Sequence, residues 1–169
     1  LIAEVGTADA AAEQPEAIAS RFDRAQNPLF ALLNPDYAGG AVVGAASAAD
    51  TATINRYLRI DAVRDLLPAD VVFKWGIKGD PAMEGRFQLY AIKVDTPDGK
   101  APLDGSVVTD ARETYAERGA EAKVSMSMNS VGVQEWGRLT GDNIGRCIAI
   151  VLDGYVYSAP VVRQKIEGG

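Results

Sequence analysis

The stretch Cys147–Pro160, CIAIVLDGYVYSAP, constrains the fold more than any other part of the chain. Two apolar runs meet at Asp153-Gly154. A two-residue type I′ hairpin needs positive φ at both central positions, which Asp tolerates and Gly adopts freely. The stretch therefore predicts a tight structural turn at Asp153 and Gly154, with Cys147–Leu152 antiparallel to Tyr155–Ser158. Ile148, Ile150 and Leu152 alternate with Cys147, Ala149 and Val151. Both faces of that strand are apolar, which predicts cover on both sides. Just upstream, Val133, Trp136, Leu139 and Thr140 fall at helical spacing and predict a helix over Val131–Gly141. A helix laid on antiparallel hairpins is an α+β layer arrangement.

The rest of the chain adds shorter elements. Glu16–Gln26 reads as a helix with a narrow apolar face of Ile18, Phe22 and Ala25, and Pro15 is tolerated at its start. Asn27-Pro28 restarts a helical turn that ends before Asn34-Pro35. Ala41–Ala46 reads as a short strand of small residues. Asp50 is placed to cap a helix from Thr51 to about Leu58, with Ile54, Tyr57 and Leu58 on one face. Asp61 is placed to cap a second helix, Ala62–Leu67, closed by Pro68. Val71, Phe73, Trp75 and Ile77 alternate with Lys74 and Gly76 as in a strand. Phe87–Val94 is its partner, across a hairpin loop Lys78–Arg86. Asp95–Gly105, DTPDGKAPLDG, is punctuated by Pro and Gly and marks the boundary between a first part, residues 1–100, and a second, residues 101–169. Pro97, Gly99, Pro102 and Gly105 are the candidate hinge. Beyond it, Ala111–Glu117 has a helix-favouring composition. Lys123–Met128 alternates Val124, Met126 and Met128 with serines, as a strand does.

Composition removes whole classes of chemistry. The chain of 169 residues holds no His and one Cys. Ser-His-Asp and Cys-His catalysis are thereby excluded, as is His-ligated zinc. Cys147 sits among apolar neighbours and reads as a small buried hydrophobe. The net charge is −6, with cations scattered and no basic patch, so nucleic acid is not a partner. No apolar run of about 18 residues is present to cross a membrane as a helix. Asp61 with Asp65, Asp104 with Asp110 and Glu113 with Glu117 are spaced acidic pairs. Two carboxylates can serve glycoside hydrolysis, but acidic residues on a helix are most often a solvated face. No catalytic residue, cofactor or metal is predicted. Phe30, Leu33 and Tyr37 flank a Pro/Gly-rich loop and are the candidate polypeptide-binding patch if they are exposed together. Tyr155 and Tyr157 read as packing residues with their hydroxyls at the rim.

Several runs carry a resemblance. LTGDNIGR (Leu139–Arg146), AIVLDGYVYSAP (Ala149–Pro160), Gly132 at the helix start and the closing Gly168-Gly169 together resemble the first periplasmic domain of SecD and of fused SecDF proteins. APLDGSVVTDA (Ala101–Ala111) and PLFALLNP (Pro28–Pro35) resemble the variant with a large head insertion. The resemblance implies a strand rather than a helix over Ala111–Glu117, turning near Arg118-Gly119 onto Lys123–Met128. It implies an α+β fragment: a head of mixed helices and hairpins over residues 1–100, then the C-terminal part of a base subdomain over 101–169, an incomplete ferredoxin-like half.

On that resemblance the chain is expected to be a piece of an accessory Sec translocase subunit. The parent would be embedded in the inner membrane, with this part on the periplasmic side. The implied partners are the Sec translocon channel and unfolded exported polypeptide. The implied action is to bind emerging preprotein and couple domain movement to proton-driven export, without enzyme activity. The competing reading is a periplasmic carbohydrate-processing or cell-wall-binding protein that uses paired carboxylates.

Overall fold

In a computed structural model, residues 2–3, 27–37, 39–81, 83–94, 96, 99–115 and 122–168 are described. The helix expected over residues 16–26, the turn near 118–119 and the hinge candidate Pro97 lie outside them. The described elements are α+β. They fall into two compact units, one made of Leu1–Val94 with Ala149–Ala159, the other of Asp95–Ile148 with Pro160–Gly169.

The first unit is built on a sheet. Its strands are β1 (Ile2–Ala3), β2 (Asn34–Pro35), β3 (Val42–Ser47), β4 (Val71–Asp80), β5 (Met83–Lys93), β9 (Ile150–Leu152) and β10 (Tyr155–Ser158). The main order is β2-β3-β5-β4-β10-β9, and β1 pairs with β5 at Ile2 and Lys93. Strands β4 and β5 form a long hairpin, with Trp75 opposite Leu89 and Val72 opposite Ile92. Asp80 pairs with Met83, so the loop expected over residues 78–86 shrinks to a turn at its middle. The two sheet faces bury separate clusters. One gathers Trp75, Leu89, Ala46, Leu33 and Ile54 beneath helices α1 (Pro28–Leu32) and α2 (Thr51–Leu58). The other gathers Ile92, Ala149 and Val156, with Val72, Tyr90 and Val151 against them. Asp50 does not cap α2; its carboxylate accepts from the Ser47 hydroxyl at 2.7 Å. Helix α3 (Asp61–Arg64) is shorter than expected and begins on Asp61 instead of being capped by it.

Asp153 and Gly154 take φ of 49° and 85°, the left-handed geometry of the expected turn. Tyr155 pairs with Leu152 and Val156 with Val151 across it. The strand expected over residues 147–152 is broken at Ala149, leaving β8 (Cys147–Ile148) apart from β9. Val156 also pairs in parallel with Gly76 of β4. This parallel join draws the hairpin into the first unit. It corrects the simple division at residues 100 and 101: the chain passes between units near Val94, Ile148 and Ala159.

The second unit pairs β6 (Val108–Tyr115) with β7 (Ala122–Met128), Val108 opposite Met128 and Tyr115 opposite Ala122. Over residues 111–115 the helix-favouring composition thus gives way to strand pairing, as the resemblance implied. Helix α4 (Ser130–Asp142) is capped by Asn129, whose side chain accepts from the Gly132 N–H at 2.9 Å. A Cβ at Gly132 would stand 2.8 Å from Val107 Cβ and 3.0 Å from Met128 Cβ, so glycine lets α4 settle against the hairpin. Leu139 and Thr140 are buried, whereas Val133 and Trp136 are half-buried.

Candidate functional site: an uncovered sheet face and its groove

Alternation along β4 sends Phe73 and Trp75 under the helices of the first unit. That cover stops short of the strand's end, and Ile77 is exposed. On neighbouring β10, Val156 turns into the opposite core at 2% exposure, which leaves Tyr155 and Tyr157 outward. The parallel register puts Tyr155 on the same face as Trp75. Leu152, directly opposite Tyr155, shares that face. Leu152, Tyr155 and Tyr157 are 52%, 47% and 44% exposed, an unusual concentration of large apolar side chains on one hairpin.

Beside this shelf lies a groove of about 1040 Å³. Leu58, Leu67, Phe73, Trp75 and Tyr155 are among the residues that line it. The Trp75 indole N–H donates to Asn55 Oδ1 at 3.0 Å, so that polar atom of the lining is satisfied internally. The groove carries Arg59, Arg64 and Lys74 against Asp61, Asp65 and Asp153, a balanced set of charges. Ile60 and Leu66 are exposed on the same helical segment, Leu66 at 84%. Apolar side chains set among charges of both signs suit contact with varied extended segments more than one anion or cation.

A smaller groove of about 560 Å³ lies within the second unit, between residues 101–107 and Val131, Gln134, Glu135 and Arg138 of α4. The Arg138 guanidinium, hydrogen-bonded to Glu135, holds that carboxyl below its ordinary range. Arg138 also pairs with Asp142 at 3.2 Å. Asp104 accepts from Ser106 and is likewise lowered.

The residues singled out in the sequence scatter. Phe30 is half-buried, Leu33 is 5% exposed within the first core, and Tyr37 is 70% exposed. They are not one exposed patch, because the short helix α1 turns Leu33 onto Trp75 and Ala46. The tyrosine pair is the converse case: its side chains stand at the surface. Asp61 and Asp65 are both exposed beside Arg59 and Arg64. Asp110 pairs with Arg112 at 2.6 Å. Cys147 is free and half-buried. Gly99, Pro102 and Gly105 all belong to the second unit. Gly99 closes a turn by donating to the Thr96 carbonyl, and Gly105 opens a 3-10 turn capped by Asp104. Among the described residues no helix is long and apolar enough to cross a membrane, and no group of three or more His, Cys, Asp or Glu could hold a metal ion.

Residues 88–169 match the family model described as SecDF, P1 head subdomain. The head label therefore falls on residues that the sequence resemblance had assigned largely to a base. The chain is similar to the protein translocase subunit SecD of Rhodothermus marinus, 41% identical over 148 residues, which is 87% of this chain and 23% of that protein. It is 32% identical over 142 residues to SecD of Magnetococcus marinus, 83% of this chain and 26% of that one. A solved SecDF in its super-membrane-facing form aligns with 89% of this chain and 17% of its own at 29% identity, with a TM-score of 0.40. The chain spans about a quarter of the length of these SecD relatives.

Proposed function

We propose that this chain, which matches the SecDF P1 head subdomain over residues 88–169, is part of an accessory protein-translocase subunit that holds exported polypeptide through the shelf and groove of its first unit. The observation that supports this is the uncovered sheet face at Leu152, Tyr155 and Tyr157, continuous with the groove over Phe73 and Trp75. Aromatic and aliphatic side chains gain by removing apolar area from water, whatever the sequence that covers them. A translocation aid must hold many segments and release each of them. Every tenfold gain in affinity adds about 1.4 kcal/mol to be undone at release, so binding here is weak and broadly tolerant.

The parent is an inner-membrane protein in this reading, with the chain on the periplasmic side beside the Sec translocon channel. Capture and release accompany domain movement driven by proton flow through the membrane part. The residues that carry protons are not assigned to this chain. The paired-carboxylate reading has less support: Asp61 and Asp65 stand in solvent next to arginines, and the relatives are translocase subunits.

The test is site-specific photocrosslinking in the intact parent during export of a stalled substrate. A crosslinker at Tyr155 or Tyr157 is expected to capture the substrate, and one at Arg138 in the second unit is not. Leu33 is unsuitable as a probe position because it is core. Capture at Arg138 with none at either tyrosine would remove the shelf from the binding role.

A further inference from the structure

The LTGDNIGR run, residues 139–146, takes no part in that shelf. It forms a track for the C-terminal segment of the second unit. The near end of the segment is pinned by main chain. Ile148 N–H donates to the Pro160 carbonyl at 3.1 Å, Gly145 N–H to the Val162 carbonyl at 2.8 Å, and Val162 N–H to the Arg146 carbonyl at 2.8 Å. Val162 is itself 8% exposed. The far end is held differently. Ile166 N–H donates to the Thr140 hydroxyl at 2.9 Å. Thr140 is fully buried, and its hydroxyl donates in turn to the Trp136 carbonyl at 2.7 Å. That inward bond commits the proton and leaves a lone pair for Ile166.

The segment lies within ordinary contact distance of the helix face beneath, with room for a methyl group at Gly137 or Gly141. A Cβ at Gly137 would lie 3.5 Å from the Ile166 carbonyl oxygen, and one at Gly141 would lie 3.4 Å from Lys165 Cγ. The Lys165 stem also lies along Gly141 and Gly137. Ile166 is 41% exposed, and Lys165 pairs with Glu167 along the segment itself at 2.9 Å. A segment pinned at one end by main-chain hydrogen bonds, and at the other, among the described residues, by a hydrogen bond to the Thr140 side chain with Lys165 and Ile166 against α4, has two states open to it.

We propose that residues 163–167 form a strap that docks on and lifts from α4, with the Thr140 hydroxyl as its latch and Val162 as its fixed pivot. Docked, the strap fixes the line along which the chain leaves the helix. Lifted, it gives the following residues free direction while α4 and the β6–β7 hairpin stay folded. Thr140 is a positioning residue in this device and touches no substrate.

Amide hydrogen exchange of the whole chain, read residue by residue by NMR, tests the device. In the wild type, Ile166 is expected to exchange more slowly than an unbonded peptide amide, yet more than tenfold faster than Leu139 within α4. Thr140→Val, which keeps the side-chain shape and removes the acceptor, should speed Ile166 exchange by roughly tenfold, the size of one net hydrogen bond, and leave Leu139 unchanged. Thr140→Ser should restore the wild-type rate. Exchange of Ile166 in step with Leu139 in the wild type would show that the strap does not open by itself. Exchange at the free-peptide rate would show that no latch holds it. Either result overturns the proposal, and both are read without the valine variant, should that variant fail to fold. An unchanged Ile166 rate in a folded Thr140→Val would overturn it too.

Discussion

At Gly154 the backbone φ is 85°, following 49° at Asp153. A β-branched side chain resists that region, so Gly154→Val should cost about 1–3 kcal/mol of stability. Thermal or denaturant melting checks it, and an unchanged melt would mean the turn is not strained by a side chain. This pair was readable in the sequence because turn chemistry is local: two φ values decide it. Exposure of a single apolar residue is not local. Leu33 and Tyr155 both stand beside loop-forming residues, and nothing in either neighbourhood says which one is covered. Leu33 is core because α1 turns it onto Trp75. Tyr155 is exposed because Val156 takes the buried register on that strand. Cover is decided by elements distant in sequence, and no local signal at either residue carries it.

Among elements, those with long periodic patterns were legible. Helix α4 runs over Ser130–Asp142 where residues 131–141 predicted it, and α2 over Thr51–Leu58 matches its expected span. Elements whose identity rests on pairing were less so. Strand β6 has helix-favouring Ala, Arg and Glu, yet its ladder to β7 supplies partners that an isolated helix would not find in a neighbour. The β4–β5 hairpin runs on through Gly79 and Gly85, residues that usually interrupt strands. Both are exposed and outside the two buried clusters, so little packing is lost there. The approach of α4 to its hairpin yields an element-scale prediction. At Gly132 an added Cβ would collide with Val107 and Met128, both part of the packing surface. Gly132→Ala gains helix propensity of about 1 kcal/mol. The overpacking it forces costs about 1–3 kcal/mol. A net loss is expected, seen as a lower midpoint in urea. A gain would show that the helix can lift from the hairpin at little cost.

The two compact units of the molecule are not two successive pieces of chain. The hairpin of residues 149–159 returns to the first unit. That return could not be read from periodicity, since it depends on one parallel pairing between Val156 and Gly76, made across about eighty residues of chain. It has a consequence for folding. Val156 and Ala149, at 2% and 7% exposure, form the second core cluster together with Ile92. A fragment ending at residue 100 keeps the first cluster and lays Ile92, Val72 and Tyr90 bare to water. Full burial of a Val or Ile side chain is worth about 1.5–3 kcal/mol, and several side chains lose cover at once. That loss is comparable with the whole stability of an ordinary domain, roughly 5–15 kcal/mol. Residues 1–100 alone should therefore lack a cooperative thermal transition that the full chain shows. A peptide of residues 149–159 supplied in trans should restore part of it, because it carries both missing core residues and the edge that pairs with β4. Two successive domains would behave otherwise: the first would melt cooperatively alone, and the peptide would change nothing. Circular dichroism melts of the fragment, with and without the peptide, separate the two architectures.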